Sequence, residues 1–222
     1  MGVVTILFHN MKLFDFHTHR VPLLGEVAIY NAKVEEDVET ISGFVSIGIH
    51  PWYIDQSKLD EQIGIVANKV KLSNVLAIGE CGLDKVCSTD FKLQIQAFEA
   101  MIAISERVCK PLIIHCVKAF DELIAAKIRF EPKQTWVIHG FRGNEFQAKQ
   151  LLSKGFCFSI GEKFNANAIK VIPLNSLFLE TDESSVSIEL IYQAVAFQKG
   201  ISVEELSLQV VSNVNNRFKI DL

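Results

Sequence analysis

Residues 75–80 read Val75-Leu76-Ala77-Ile78-Gly79-Glu80: four apolar residues, a glycine and a carboxylate, followed by Cys81-Gly82-Leu83-Asp84. A continuous apolar run of this length suits a strand buried on both faces, as in a parallel α/β sheet. The acid at its end is costly to bury without a cation or a hydrogen-bonding partner. The same arrangement recurs outward along the chain. His17 and His19 follow Lys12-Leu13-Phe14, His115 follows Leu112-Ile113-Ile114, His139 follows Trp136-Val137-Ile138, and Asp182 lies just beyond Leu177-Phe178-Leu179. In parallel α/β proteins the C-terminal strand ends share one face, so residues distant in sequence can meet there. Four imidazoles and two carboxylates at one site are a ligand inventory for divalent cations.

Strand patterns lie near 12–16, 26–31, 43–49, 75–80, 111–116, 135–139, 155–160 and 176–180, and helical patterns near 57–71, 90–108, 119–129, 144–153, 163–171, 186–199 and 203–218. From Asp90 to Val108, Phe91, Ile95, Phe98, Ile102 and Ser105 trace one stripe behind the cap-forming Ser88-Thr89-Asp90. Strands alternating with helices in this way predict an α/β chain folded as a TIM-like (β/α)8 barrel. The barrel is expected to be irregular. The stretch Pro22 to Glu26 is too short for the crossover helix a parallel pair usually needs, so the first one should be missing. The next connection, Lys33 to Ile41, has room for barely two helical turns. No linker, repeat or low-complexity stretch divides the chain, which reads as one domain over 1–222. Residues 1–10, ahead of Met11, read as a dispensable extension and His9 as a surface residue.

Composition bounds the function. With 49% hydrophobic residues over 222 positions the chain can bury a substantial core, which excludes disorder. A net charge of −4 gives no global field for nucleic acid, so a polyanion needs a local basic patch. Cys81, Cys87, Cys109, Cys116 and Cys157 are odd in number and lack CxxC spacing, as expected of reduced thiols in a cytoplasmic protein. Met1 to Phe8 is too short for a secretory core, and no uncharged run approaches a membrane span. Neither a membrane nor an obligate protein partner is expected.

Each ligand has an alternative reading. The pair in His17-Thr18-His19 points to one side of a strand by the two-residue period, which suits chelation, but an HxH pair alone is a weak signal. His115 or His139 taken singly could be a buried, hydrogen-bonded histidine. The acids Glu80 and Asp182 shift the balance, because five strand ends carrying such residues together are what a barrel metal site requires.

These residues also carry a family resemblance. Asp15-Phe16-His17-Thr18-His19, Gly48-Ile49-His50-Pro51-Trp52 and Ile78-Gly79-Glu80-Cys81-Gly82-Leu83-Asp84 resemble, in order, the opening HxH strand, the G-x-H-P segment and the G-E-x-G-L-D signature of the TatD-type metal-dependent hydrolases of the amidohydrolase superfamily. The correspondence continues through Gln94 to Phe98, Lys110 to His115, Ile138-His139-Gly140-Phe141, Leu179-Glu180-Thr181-Asp182 and Asn213 to Phe218. Two departures stand out. Val117 occupies the place of an arginine usual two residues after the strand-five histidine, and Glu183-Ser184-Ser185 replace a proline usual after the last aspartate.

The resemblance implies hydrolysis assisted by one or two divalent ions (Zn²⁺, Mg²⁺, Mn²⁺ or Ni²⁺) held by His17, His19, Glu80, His115, His139 and Asp182. Glu80 would bridge, and Asp182 would also move the proton from attacking water to leaving group. His50 would contact substrate or hold Trp52, and Asp84 would orient a neighbouring loop or ligand. The family includes deoxyribonucleases, which makes DNA the expected substrate. Arg20, Lys85, Lys118, Arg142 and Lys163 each follow a strand end and should crown the metal site. Of these, Lys118, Arg142 and Lys163 are the expected phosphate grips in place of the missing arginine. Trp52, Tyr53, Phe141 and Phe164 are candidate stacking platforms for bases. The alternatives are a metal hydrolase acting on a small amide, ester or lactone, and a non-catalytic barrel used as scaffold.

Overall fold

The computed structural model describes residues 12–222; His9 and the extension expected at 1–10 lie outside the described residues. Eight parallel strands, β1 (Phe14–Thr18), β2 (Val27–Ala32), β3 (Phe44–Ile47), β4 (Val75–Asp84), β5 (Leu112–Val117), β6 (Trp136–Ile138), β7 (Cys157–Ile160) and β8 (Leu177–Leu179), pair in chain order. The sheet closes through a bridge between Thr18 and Asp182. There Asp182 donates its backbone N–H to His17 O at 2.9 Å, and His19 donates to Asp182 O at 3.2 Å. Closure is therefore made by residues at the C-terminal strand ends.

Among the described residues seven helices flank the barrel: α1 (Leu59–Lys69), α2 (Phe91–Val108), α3 (Phe120–Phe130), α4 (Glu145–Leu152), α5 (Ala166–Val171), α6 (Ile188–Lys199) and α7 (Val203–Phe218). Their starts follow capping chemistry. Asp90 accepts from Lys92 N and Leu93 N, Asn144 and Gln147 form a reciprocal capping box, and Ser202 accepts from Glu205 N. No helix joins β1 to β2, where the Glu26 carboxylate instead ties up a turn by accepting from Leu23 N and Arg20. One 3-10 turn, Val38–Thr40, is all that lies between β2 and β3.

The interior is apolar and fully enclosed: Phe14, Phe16, Ile78, Trp136, Phe158 and Phe178 are at most 1% exposed. Burial at about 25 cal/mol per Å² of apolar surface makes this packing the main stabilising contribution. β4 fits against β5 because of two glycines. Gly79 (φ 150°) and Gly82 (φ 145°) have conformations that L side chains rarely adopt. A Cβ on Gly79 would sit 2.4 Å from Ile113 O and one on Gly82 2.0 Å from His115 O. These glycines let Glu80 and His115 stand side by side.

Candidate metal centre

Glu80 is at the middle of the site, 4% exposed, and its two oxygens face different donors. Oε2 lies 3.5 Å from His17 Nε2 and 3.3 Å from His19 Nε2. The same two imidazole nitrogens are 3.8 and 3.5 Å from Asp182 Oδ1. Oε1 lies 2.6 Å from His139 Nε2, 2.8 Å from His115 Nδ1 and 3.1 Å from His50 Nε2. All six expected ligands are thus brought together. His50, expected only beside them, joins the group that also contains Glu80 and His115. Its other nitrogen accepts from Trp52 N at 3.1 Å, so it fixes the following turn as well.

The electrostatics favour a cation here. Burial pushes the Glu80 carboxyl up, but His139, His115 and His17 around it outweigh that and hold it well below the usual range. Burial disfavours charge on His139, yet Glu80 and Glu180 raise its pKa well above that of a free imidazole. At His19 burial also opposes the charge and Glu80 overcomes it, so that pKa is raised, whereas His50 is lowered by burial. Asp182 is raised chiefly by burial. Positive charge, from protons or from metal, is what these carboxylates are arranged to meet. His17 gives the sharpest fit: it is 0% exposed and neither ring nitrogen has a hydrogen-bond partner among the described residues. A buried unsatisfied imidazole costs about 1–3 kcal/mol, a penalty that coordination removes.

Around this cluster stand residues that pattern reading did not single out. Glu180, fully buried, accepts from Gly140 N at 2.6 Å and lies 3.4 Å from His139 Nδ1, so it orients that ring. Asn31 Oδ1, at the end of β2, accepts from Glu80 N at 2.6 Å. Asp15 accepts from both Thr181 N and Oγ1 and fastens β1 to the segment carrying Asp182; burial raises its pKa to about 7 despite those bonds. Asp182 itself is left-handed (φ 55°), uncommon for a non-glycine residue, and the two backbone bonds to β1 hold it there. Two signals were available in the sequence: Glu180 extends an apolar run, and Asn31 interrupts one. Asp84 behaves as expected, accepting from Trp52 Nε1 at 2.7 Å and lying 3.3 Å from His115 Nε2.

The basic crown is only partly present. Arg20 is paired with Glu26 and Lys85 with Glu122. Arg142 and Lys163 line a cavity of about 300 Å³ that shares Asp182 and Glu183 with the main cleft, whereas Lys118 lines neither. The main cleft, about 520 Å³, carries Lys33 among Glu35, Glu36 and Glu183. Of the candidate platforms, Trp52 and Tyr53 are more than half exposed and line this cleft. Phe141 is instead core, 2% exposed, because it packs on Phe158, and Phe164 packs against the same core. All five cysteines are free. Among the described residues no helix is long and apolar enough to cross a membrane.

Comparison with known proteins agrees with this geometry. A metal-dependent hydrolase of Haemophilus influenzae, otherwise uncharacterized, is 28% identical over 218 residues, covering 80% of this chain and 83% of that one. The 3'-5' ssDNA/RNA exonuclease TatD of Erwinia tasmaniensis is 25% identical over 201 residues, covering 78% and 77%. The crystal structure of YJJV, a TatD homolog from Escherichia coli K12, superposes with a TM-score of 0.79 at 20% identity over 95% of this chain and 99% of that one, a likeness of fold. The sequence model of the family described as TatD related DNase matches residues 29–219. With that match over most of its length, and a (β/α)8 barrel whose strand ends gather histidines and carboxylates, the chain belongs to the TatD-related family of metal-dependent hydrolases.

Proposed function

We propose that this protein, acting as a single cytoplasmic domain, hydrolyses phosphodiester bonds of DNA at a centre holding two divalent ions. The observation that carries the reading is the division of Glu80: Oε2 faces His17 and His19, whose nitrogens also approach Asp182, and Oε1 faces His50, His115 and His139. His17, His19 and Asp182 on one side of Glu80, and His50, His115 and His139 on the other, would hold the ions together with that carboxylate. When bound, divalent ions at such a centre supply water ionised near neutral pH and polarise the phosphoryl oxygen. Zn²⁺, Mn²⁺ and Ni²⁺ suit the imidazole-rich set; Mg²⁺ would rely on the carboxylates and water.

The chain's own groups supply the rest. Asp182 is partly exposed and its pKa is raised, which suits Oδ1 to take a proton from the attacking water and pass it to the leaving oxygen. Glu180 holds His139, and Asp84 holds His115, so neither ring has to reorient during turnover. Arg142 and Lys163, in the cavity beyond Asp182, grip the phosphate chain where the usual arginine is replaced by Val117. Lys118 contributes weaker, longer-range attraction.

A second reading, hydrolysis of a small amide, ester or lactone as elsewhere in the amidohydrolase superfamily, draws support from Glu35, Glu36 and Glu183 around the main cleft. One paired assay decides. Purified protein is analysed for metal and given single-stranded DNA and bis(4-nitrophenyl) phosphate, with and without chelator, alongside neutral esters and amides. Chelator-sensitive cleavage of both phosphodiesters is expected. Turnover of neutral substrates with no DNA cleavage at low ionic strength, with Mg²⁺, Mn²⁺ or Zn²⁺ supplied, defeats the nuclease reading.

A further inference from the structure

The two cavities meet at Asp182 and Glu183 but differ in chemistry. Among the described residues the smaller has no aromatic lining; it holds two cations, Arg142 and Lys163, beside Glu162 and the acids of the metal cluster. The larger is walled by Tyr30, Trp52 and Tyr53 and edged by Glu35 and Glu36. Trp52 and Tyr53 are 57% and 59% exposed, yet both are held in place. Trp52 Nε1 donates to Asp84 Oδ2, and its ring stands edge-on to His50 at 5.1 Å and to His115 at 5.9 Å. Tyr53 leans on His50 at 5.4 Å. Rigid aromatic faces beside the metal cluster remain in water until a flat ligand covers them, and such faces are what sequence-tolerant base stacking uses. The carboxylates of Glu35 and Glu36 at its edge can accept N–H donors from an exocyclic amino group.

We infer that the larger cavity is a nucleobase subsite, a conclusion that rests on the phosphodiester reading above. The base beside the scissile phosphate stacks on Trp52 and Tyr53, and the sugar–phosphate chain passes Asp182 into the Arg142–Lys163 cavity. A volume of about 520 Å³ suits one nucleoside.

Trp52 offers its own test. It is one of two tryptophans, and the other, Trp136, is fully buried. Titrating the Mn²⁺-loaded protein with 2'-deoxyadenosine should quench Trp52 emission saturably, about ten-fold more weakly in Tyr53→Ala, while 2-deoxyribose should not quench. In parallel, KM is compared for a single strand ending in a normal nucleotide and one ending in an abasic residue. The normal strand should have the lower KM in the wild type, and the ratio should collapse toward one in both Trp52→Ala and Tyr53→Ala. Absence of saturable quenching, equal KM for the two wild-type strands, or quenching by tetramethylammonium in preference to the nucleoside overturns the subsite. If deoxyadenosine quenches but neither strand nor bis(4-nitrophenyl) phosphate is hydrolysed, the hydrolytic reading fails and the base site stands.

Discussion

The two ends of the barrel treat polar groups in opposite ways. At the N-terminal strand ends, side chains satisfy the chain itself. Lys110 Nζ donates to the carbonyls of Val70, Leu72 and Val75, Asn213 Nδ2 to those of Leu174 and Leu177, and Ser105 Oγ to Lys110 O. At the C-terminal ends His17 has no hydrogen-bond partner among the described residues for either ring nitrogen, and four more histidines crowd around Glu80. One end directs its side chains to the chain's own carbonyls, with Trp136 Nε1 left over; the other is complementary to added positive charge. Barrels concentrate function at the second end and stability at the first, and here the difference can be read atom by atom.

The largest effect that would sharpen this contrast is at Glu80 and Asp182. Glu80→Ala and Asp182→Ala should each lower kcat/KM for a phosphodiester by ~10³-fold or more. Metal-free Asp182→Ala should melt no lower than metal-free wild type, because burial already disfavours that charge, whereas metal-free Glu80→Ala should melt lower, because it leaves the surrounding histidines without their counter-charge. Full activity in either variant would remove that residue from the site. Next comes metal itself: adding Zn²⁺ or Mn²⁺ to chelator-stripped protein should raise stability by about 3 kcal/mol at a hundred-fold excess over Kd. Calorimetry should find that gain sharply reduced in Glu80→Ala.

The opposite end should respond in stability alone. Lys110→Met leaves three carbonyls without their donor and should cost about 2 kcal/mol in denaturant unfolding, with kcat unchanged at saturating metal. A loss of activity that survives correction for unfolded protein would break the division between the ends.

Smaller effects test the rim. Reversing Arg142 or Lys163 should raise KM for single-stranded DNA about ten-fold and reduce the slope of log KM against log salt by about one for each phosphate no longer gripped. Lys118→Glu, outside both cavities, should change KM less than about two-fold, because its long-range attraction is screened by salt. Equal effects at all three would mean that the cavities do not determine the path of the strand.

The smallest is a pH dependence. Lys127 donates to Gly155 O, lies over Trp136 and Phe156, and is pushed down to about 8 by burial. Its folded pKa is below its unfolded one, so between about 8 and 10.5 the unfolded chain binds more protons and stability rises with pH. Below about 8 the penalty for burying the charge is fully present. Lys127→Met should flatten this part of the wild-type stability curve, measured by denaturant unfolding from pH 7 to 10.5.

Much of this was legible in sequence because barrel strands bury both faces and so appear as uninterrupted apolar runs. The run Val75–Ile78 ends in Glu80 and Leu112–Ile114 in His115, so strand and ligand were read together. The missing first helix followed from the brevity of Pro22 to Glu26. The basic crown was overdrawn because a sequence gives the position of a charge along the chain but not its neighbours. Arg20 and Lys85 found acids, and Lys118 lies outside the lining of both cavities. Phe141 looked like a platform for the same reason, since burial depends on what packs against it.

The sequence by itself therefore determined the period of the elements, the donor types at the strand ends and the family, all of which are local or order-dependent properties. Only the tertiary structure decided that Glu80 turns one oxygen toward His17 and His19 and the other toward His50, His115 and His139. It alone brought Glu180 and Asn31 behind those groups and split the rim into an aromatic cavity and one that holds Arg142 and Lys163 among acids. Such relations join residues dozens of positions apart, and Asp15 to Thr181 joins residues 166 apart. They are set by strand register and barrel closure, which bring into contact what no window along the chain contains.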